Sequence, residues 1–184
     1  MRRAYHIHDQ NELYFMTLQV IDWVDIFTRQ IYRDIIIDSL AYCRKNKGLR
    51  LWAYVVMSNH LHIIISSTRS DLSGVLRDFK RHTSSNILQT MCGRIESRFY
   101  WMKERFETAS LRHSRNKGLQ FWTHENRAIH LWSRKWIFQK LNYIHMNPVK
   151  AGLVARPEDW LYSSARNYSG LDNVMQIDLI GIDD

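Results

Sequence analysis

His60 and His62 stand one residue apart in the run Tyr54-Val55-Val56-Met57-Ser58-Asn59-His60-Leu61-His62-Ile63-Ile64-Ile65. A strand places side chains i and i+2 on one face, so the two imidazoles share a face. Two imidazoles on a rigid strand make half of a divalent-metal site. The same spacing also fits a pair of hydrogen-bonded core histidines, and spacing alone leaves both readings open. The metal reading needs a further ligand elsewhere in the chain, and a reaction for the ion to serve.

The elements around the pair follow from periodicity. Residues 50–57 and 60–66 read as the second and third strands, joined through Met57-Ser58-Asn59 into an antiparallel hairpin. Both runs are nearly continuous in apolar residues, which suits central strands covered by helices. Residues 13–21 read as a first strand, and Asp22 to Phe27 as a turn out of it. A helix is predicted over 29–46, with Ile31, Ile35, Ile36 and Leu40 inward, Thr28 as N-cap and Gly48 as the stop. A second helix, 71–91, starts from Ser70 or Asp71 and buries Leu72, Val75, Leu76 and Phe79. Residues 119–123 read as a fourth strand and 124–130 as loop. Ser133 then caps a helix to about residue 146, with Trp136, Ile137, Leu141 and Ile144 as its buried stripe. Pro148 disfavours helical geometry at Asn147, which places Tyr143 in the last turn and Asn147 at or just past the end. The remainder turns at Ala151-Gly152 and packs back through Trp160 and Tyr162.

The 184 residues suit one domain, read as 1–170, followed by an acidic tail, 171–184. Hydrophobic residues make up 45%, enough for a packed interior. Cys43 and Cys92 give no disulfide framework, the polar N-terminus is not read as a signal peptide, and no apolar run approaches the ~18 residues that span a bilayer. The expected setting is the cytoplasm, without a membrane partner. The net charge is +8, and the last fourteen residues hold four Asp and no Lys or Arg, so the preceding 170 carry +12. A basic body of this kind points to a polyanion, nucleic acid first. Candidate phosphate contacts are Arg77, Lys80 and Arg81 on the second helix, Arg112, Arg115 and Lys117 in a basic loop, and Lys150. A solvated face is the other reading of the helical triplet. Between residues 92 and 120 basic residues alternate with Phe99, Tyr100, Trp101 and Phe106. That pattern fits stacking on single-stranded nucleic acid, and equally a helix with a buried aromatic face.

The run from Ala53 to Ile63 resembles the His-hydrophobe-His (HUH) motif of single-tyrosine transposases. Leu141-Asn142-Tyr143-Ile144-His145-Met146-Asn147-Pro148-Val149-Lys150-Ala151-Gly152 is similar to the tyrosine-helix segment of the REP-associated tyrosine transposases, and Trp160 to Tyr168 resembles their C-terminal segment. The resemblance runs from about residue 5 to residue 170. It implies an α+β, ferredoxin-like fold, an antiparallel sheet with helices packed on it, and the two histidines on a central strand. It also implies that His60, His62 and Asn147 bind Mg²⁺ or Mn²⁺, and that Tyr143 is the nucleophile. The implied reaction is nicking and strand transfer of single-stranded or hairpin DNA through a covalent 5′-phosphotyrosine, by a monomer or homodimer. A helix places Asn147 at i+4 from Tyr143, on the same face. His145 points away and reads as structural. Around residues 121–132 the His-Pro step common in the family is missing. Two alternatives accompany this reading: a DNA-binding protein that keeps the fold without turnover, and a phosphodiesterase acting on a small nucleotide.

Overall fold

The computed structural model describes residues 7–93, 96–112 and 118–181. Four strands, β1 (Tyr14–Gln19), β2 (Leu49–Val56), β3 (His60–Ser67) and β4 (Ile129–His130), form one antiparallel sheet in the order β2-β3-β1-β4. The helices are α1 (Gln30–Lys47), α2 (Leu72–Gly93), α3 (Phe99–Leu111), α4 (Arg134–Lys150) and the short α5 (Ala165–Tyr168). With β1 and β3 central, this is the ferredoxin-like arrangement that the family resemblance implies.

Strand alternation sorts the two faces of the sheet. Tyr14, Met16 and Leu18 of β1, with Leu61, Ile63 and Ile65 of β3, point into a large core that also takes Ile36 and Leu40 of α1 and Val75 and Phe79 of α2. Phe15, Val55 and Ile64 point the other way, into a smaller cluster closed by Leu131, Leu141 and Ile144. His60 and His62 share a face with Ile64, so they open toward α4. The face under α1 and α2 holds the larger core, whereas the opposite face is covered in large part by α4, beside which His62 and Phe15 are buried and His60 and Tyr143 stay partly accessible.

Gly48 ends α1 in the left-handed region at φ 70°, and a Cβ there would lie 2.7 Å from Arg69 Cγ and Thr68 Oγ1. Asp71 caps α2 by accepting the Gly74 N–H at 3.0 Å. Thr28 is not the cap of α1. The chain enters α1 through Arg29 in an extended conformation, and the Thr28 hydroxyl donates to the Asp25 carbonyl. Residues 119–123 form no strand: they meet the end of β1 in a single bridge, Val20 to Trp122, because the chain turns away at Ile21. The fourth strand lies instead within the predicted loop, at Ile129–His130, paired with Phe15 and Tyr14. The aromatic-basic stretch contains α3, which buries Met102 and Phe106 and leaves Tyr100 and Trp101 exposed.

Helix α4 does not stop before Asn147. It continues through Pro148 to Lys150, with Pro148 buried on the same stripe as Leu141 and Ile144. The amides of Ala151 and Leu153 close the last turns on Asn147 O and Pro148 O, both at 3.0 Å. Packing of the proline ring offsets its missing N–H. Trp136 is not in the buried stripe, being 40% exposed. The segment after α4 packs as expected: Trp160 donates its indole N–H to the Val56 carbonyl, and Tyr162 is buried with its hydroxyl on Asp34 at 2.6 Å. Residues 171–181 also lie against the body, where Asp178 exchanges hydrogen bonds with the Leu51 backbone and pairs with Arg44.

Candidate active site

The His60 and His62 rings lie 4.6 Å apart, centroid to centroid, at 70°. Phe15, on neighbouring β1, stacks on His62 at 5.4 Å. Leu141 and Ile144 anchor α4 in the small core, and Tyr143 between them swings over the strand. Its ring stands edge-on to His62 at 5.2 Å and to Phe15 at 5.8 Å. The Tyr143 hydroxyl is 3.5 Å from His62 Nε2, a near contact rather than a strong hydrogen bond. Tyr143 remains 37% exposed, whereas His62 beneath it is buried. Residues 81 positions apart in sequence thus meet at one point of the sheet.

Both imidazoles are held from behind. Asn59 Nδ2 donates to the Asp25 carboxylate at 2.9 Å and faces the Trp23 carbonyl at 3.3 Å. Flipping that amide would set its oxygen against two acceptors, so Oδ1 faces His60 Nδ1, at 2.7 Å. The pattern assigns the proton of His60 to Nδ1 and leaves Nε2 with a lone pair. Thr17, directly across from His62 in the β1–β3 register, places its hydroxyl 2.9 Å from His62 Nδ1. Such outer contacts fix ring orientation in metal-ligating histidines. Burial lowers His60 to about 4, against a partial opposing effect of Asp25. Burial, then the charges of His60 and Lys140, lower His62 to about 3. Both rings are therefore neutral at pH 7, as ligands must be.

Asn147 follows Tyr143 by one turn on the same face of α4 and is half-buried. Among the described residues no three His, Cys, Asp or Glu side chains are grouped to hold a metal. The third donor that the family resemblance implies is of another type, the Asn147 amide oxygen. Two neutral imidazoles and an amide oxygen, without thiolates, fit a borderline-to-hard divalent ion. A cleft of about 620 Å³ between α1 and α2, lined by Asp38, Lys47, Asp78 and His82 among others, lies on the other face of the sheet and includes none of these residues.

The expected phosphate contacts are dispersed. Lys150 is exposed, with Nζ 5.9 Å from the Tyr143 ring centroid. Arg77 and Arg81 are exposed on α2 and share Asp78, at 3.5 and 3.4 Å. Arg112 is exposed and pairs with Asp22 at 3.5 Å. Lys80 turns inward and donates to the Thr123 carbonyl and Asn126 Oδ1, both at 2.8 Å, so it pins the 123–126 loop. Arg115 and Lys117 lie outside the described residues. His145 is structural as predicted: its Nε2 meets Ser164 Oγ at 2.9 Å, its ring packs on Tyr168, and burial lowers it to about 4.

Sequence reasoning missed Thr17, Asn59, Trp23 and Lys140. Lys140 sits over the Phe15 ring at 4.8 Å and the Tyr143 ring at 5.4 Å. Trp23 stands edge-on to His60 at 5.9 Å and is 56% exposed. Asp22 and Trp23 both adopt positive φ, 49° and 57°, a conformation that costs a non-glycine residue about 1–3 kcal/mol. Asn59 carried a signal, its place directly before His60. Thr17 carried none until the strand register was known.

The sequence profile of the IS200-like transposases matches residues 17–115, which include both histidines and end before Tyr143. No curated protein matches the chain. Among solved structures, a REP-associated tyrosine transposase bound to a REP hairpin aligns at 21% identity and TM-score 0.59, over 99% of this chain and 94% of its own. A Deinococcus radiodurans R1 protein described as a candidate transposase aligns at 14% identity and TM-score 0.43, over 78% of this chain and 95% of its own. The first likeness agrees with the ferredoxin-like fold, and the second score is too low to carry weight. The profile spans more than half of the chain and contains the strand that bears the histidines, and on that ground the chain belongs to the IS200-like transposase family.

Proposed function

We propose that this transposase cuts and rejoins single-stranded DNA, with Tyr143 as nucleophile and with His60, His62 and Asn147 as ligands of Mg²⁺ or Mn²⁺. The observation that carries the reading is the Tyr143 hydroxyl 3.5 Å from His62 Nε2. That contact puts the hydroxyl beside one of the proposed ligands, where a phosphate bound at the same point would lie within reach of it. A divalent ion held by the three ligands supplies charge neutralisation at the non-bridging phosphate oxygens.

The remaining chemistry belongs to the chain. Tyr143 Oη forms a bond to phosphorus as its proton is lost, and the bond from phosphorus to the 3′ oxygen breaks. The products are a 5′-phosphotyrosine and a free 3′-OH, which takes up a proton. Because the phosphodiester is exchanged rather than hydrolysed, a second 3′-OH can reverse the step and join strands. Thr17 and Asn59 hold the imidazoles in register for this. The cations Lys140 and Lys150 lie beside the tyrosine ring, where a phosphate of the incoming strand must pass. Exposed Arg77, Arg81 and Arg112 are further candidate phosphate contacts.

The tyrosine-helix motif, together with the fold shared with a hairpin-bound relative, supports the REP-associated subtype and hairpin-bearing DNA as substrate. Incubation with labelled hairpin-bearing single-stranded DNA and Mn²⁺, followed by a denaturing gel, tests the reading. A protein-linked band that disappears in Tyr143→Phe is expected. Tight binding of a broad DNA panel with no linked band in the wild type would leave a binding protein without turnover.

A further inference from the structure

Rings line up across the candidate site in a fixed order. Trp23 stands edge-on to His60, His60 meets His62, and His62 meets Tyr143. The direction of α4 extends this line. The chain enters α4 beside the start of β1, where the Leu131 amide donates to the Leu13 carbonyl, and Tyr14 there lies across from Ile65 of β3. Gln19, at the other end of β1, lies across from His60. Residues earlier in α4 than Tyr143 therefore lie farther from His60.

At 100° per residue, Trp136, Lys140, Tyr143 and Asn147 fall within an arc of about 60° on α4. Leu141, Ile144 and Pro148 occupy the buried stripe, centred about 100° away. Trp136 thus lies on the shoulder that carries Tyr143, two turns and about 10 Å before it. That rise is close to three nucleotides at duplex spacing. Both tryptophans are open to solvent, Trp23 at 56% and Trp136 at 40%.

Two further observations mark this line as more than scattered surface apolar groups. Trp23 reaches its place through two consecutive left-handed non-glycine residues, and the turn is tied to the site by the bond from Asn59 to the Trp23 carbonyl. On the other side, α4 contains Arg134, Lys135, Lys140 and Lys150 and no acidic residue. Lys140 sits between Trp136 and Tyr143 on the shared shoulder. Aromatic faces spaced along a cationic, acid-free helix match a strand of unpaired bases on a phosphate backbone.

We infer that Trp23 and Trp136 are base-stacking platforms on either side of the scissile phosphate. A single strand of DNA crosses the site with one unpaired base on each tryptophan, and the phosphates between them pass over His60, His62 and Tyr143. The inference rests on the proposed single-strand substrate and adds which residues grip it, where, and in what order.

The test is fluorescence anisotropy with a labelled oligo-dT of about twelve nucleotides, in EDTA, so that cleavage is excluded. Trp23→Ala and Trp136→Ala each weaken binding about tenfold, and Trp23→Phe and Trp136→Phe restore it to within about threefold. A blunt hairpin without unpaired ends binds the wild type and the variants alike. Trp23→Gly removes the platform while relieving the left-handed turn, so it loses binding with a melting temperature no lower than wild type. Wild-type affinity for oligo-dT in the alanine variants, equal loss of the blunt hairpin, or no saturable wild-type binding overturns the inference. The two readings fail separately. Tryptophan-dependent binding without any phosphotyrosine adduct keeps the platforms and removes the chemistry. Adduct formation together with wild-type oligo-dT affinity in both alanine variants keeps the chemistry and removes the platforms.

Discussion

Replacing Asn59 with alanine separates ligand orientation from ligand identity. The side chain makes three contacts at once: His60 Nδ1 at 2.7 Å, Asp25 Oδ1 at 2.9 Å and the Trp23 carbonyl at 3.3 Å. Its loss leaves both histidines in place but removes the acceptor that fixes the His60 proton on Nδ1. The ring can then take the other tautomer, in which Nε2 carries hydrogen and cannot ligate. Outer contacts of this kind are worth about 10- to 100-fold in metal affinity, or about 1.4–2.7 kcal/mol. The global cost is smaller, about 1 kcal/mol, because two of the three bonds are exposed. Two assays check this. Nitrogen-correlated NMR of the imidazoles reports the tautomer and should show His60 protonated at Nδ1 in the wild type. Mn²⁺ titration followed by EPR should show affinity falling about tenfold or more in the variant, with a melting temperature only a few degrees lower. Nδ1 found unprotonated in the wild type, or unchanged Mn²⁺ affinity in Asn59→Ala, refutes the reasoning.

Ile144→Ala opens the small core beneath α4, where Ile144 is fully buried, and should cost about 2–5 kcal/mol in denaturant unfolding. Adduct formation, compared under conditions where the variant remains folded, should fall as well, because the neighbouring residue is Tyr143. Lys140→Met keeps the stem over Phe15 and removes the charge. Oligonucleotide affinity should drop several-fold, with a shallower dependence on salt. Lys80 gives a pH test. Burial pulls its amine from 10.5 down to about 8, so the ammonium is disfavoured in the folded state. That penalty is present in full below about pH 8 and is relieved as pH rises through 10.5, above which both states are neutral. The wild-type melting temperature, measured against Lys80→Met, should therefore climb between pH 8 and 10. A flat difference contradicts the assignment.

What the sequence disclosed followed from periodicities that need no partner. Period two places His60 and His62 on one face, and the helical repeat places Asn147 with Tyr143. Both statements hold whatever packs above them. The meeting of Tyr143 with His62 was legible only through family resemblance, because no local rule says which helix covers which strand. Thr17 illustrates the limit. Its role depends on lying opposite His62, and that register emerges from the pairing of β1 with β3. Trp136 shows a different failure. Trp136 and Ile137 are adjacent and both apolar, and the stripe set by Leu141, Ile144 and Pro148 draws in Ile137 and turns Trp136 outward. Pro148 misled for the opposite reason, since tertiary packing carried the helix past a residue that local geometry disfavours. The basic triplet on α2 split in three dimensions, because Asp78 lies between Arg77 and Arg81 while Lys80 faces the 123–126 loop.

The central claim is that Tyr143 becomes covalently joined to DNA. Trypsin should release residues 141–150 as one peptide, flanked by Lys140 and ending at Lys150, in which Tyr143 is the sole hydroxyl-bearing side chain. After reaction with hairpin-bearing single-stranded DNA and Mn²⁺, then nuclease digestion, mass spectrometry of that peptide tests the claim directly. A 5′-nucleotide mass on Tyr143, absent when EDTA replaces Mn²⁺, is expected. A nucleotide adduct on any other peptide, or cleaved DNA with residues 141–150 unmodified throughout the time course, contradicts it.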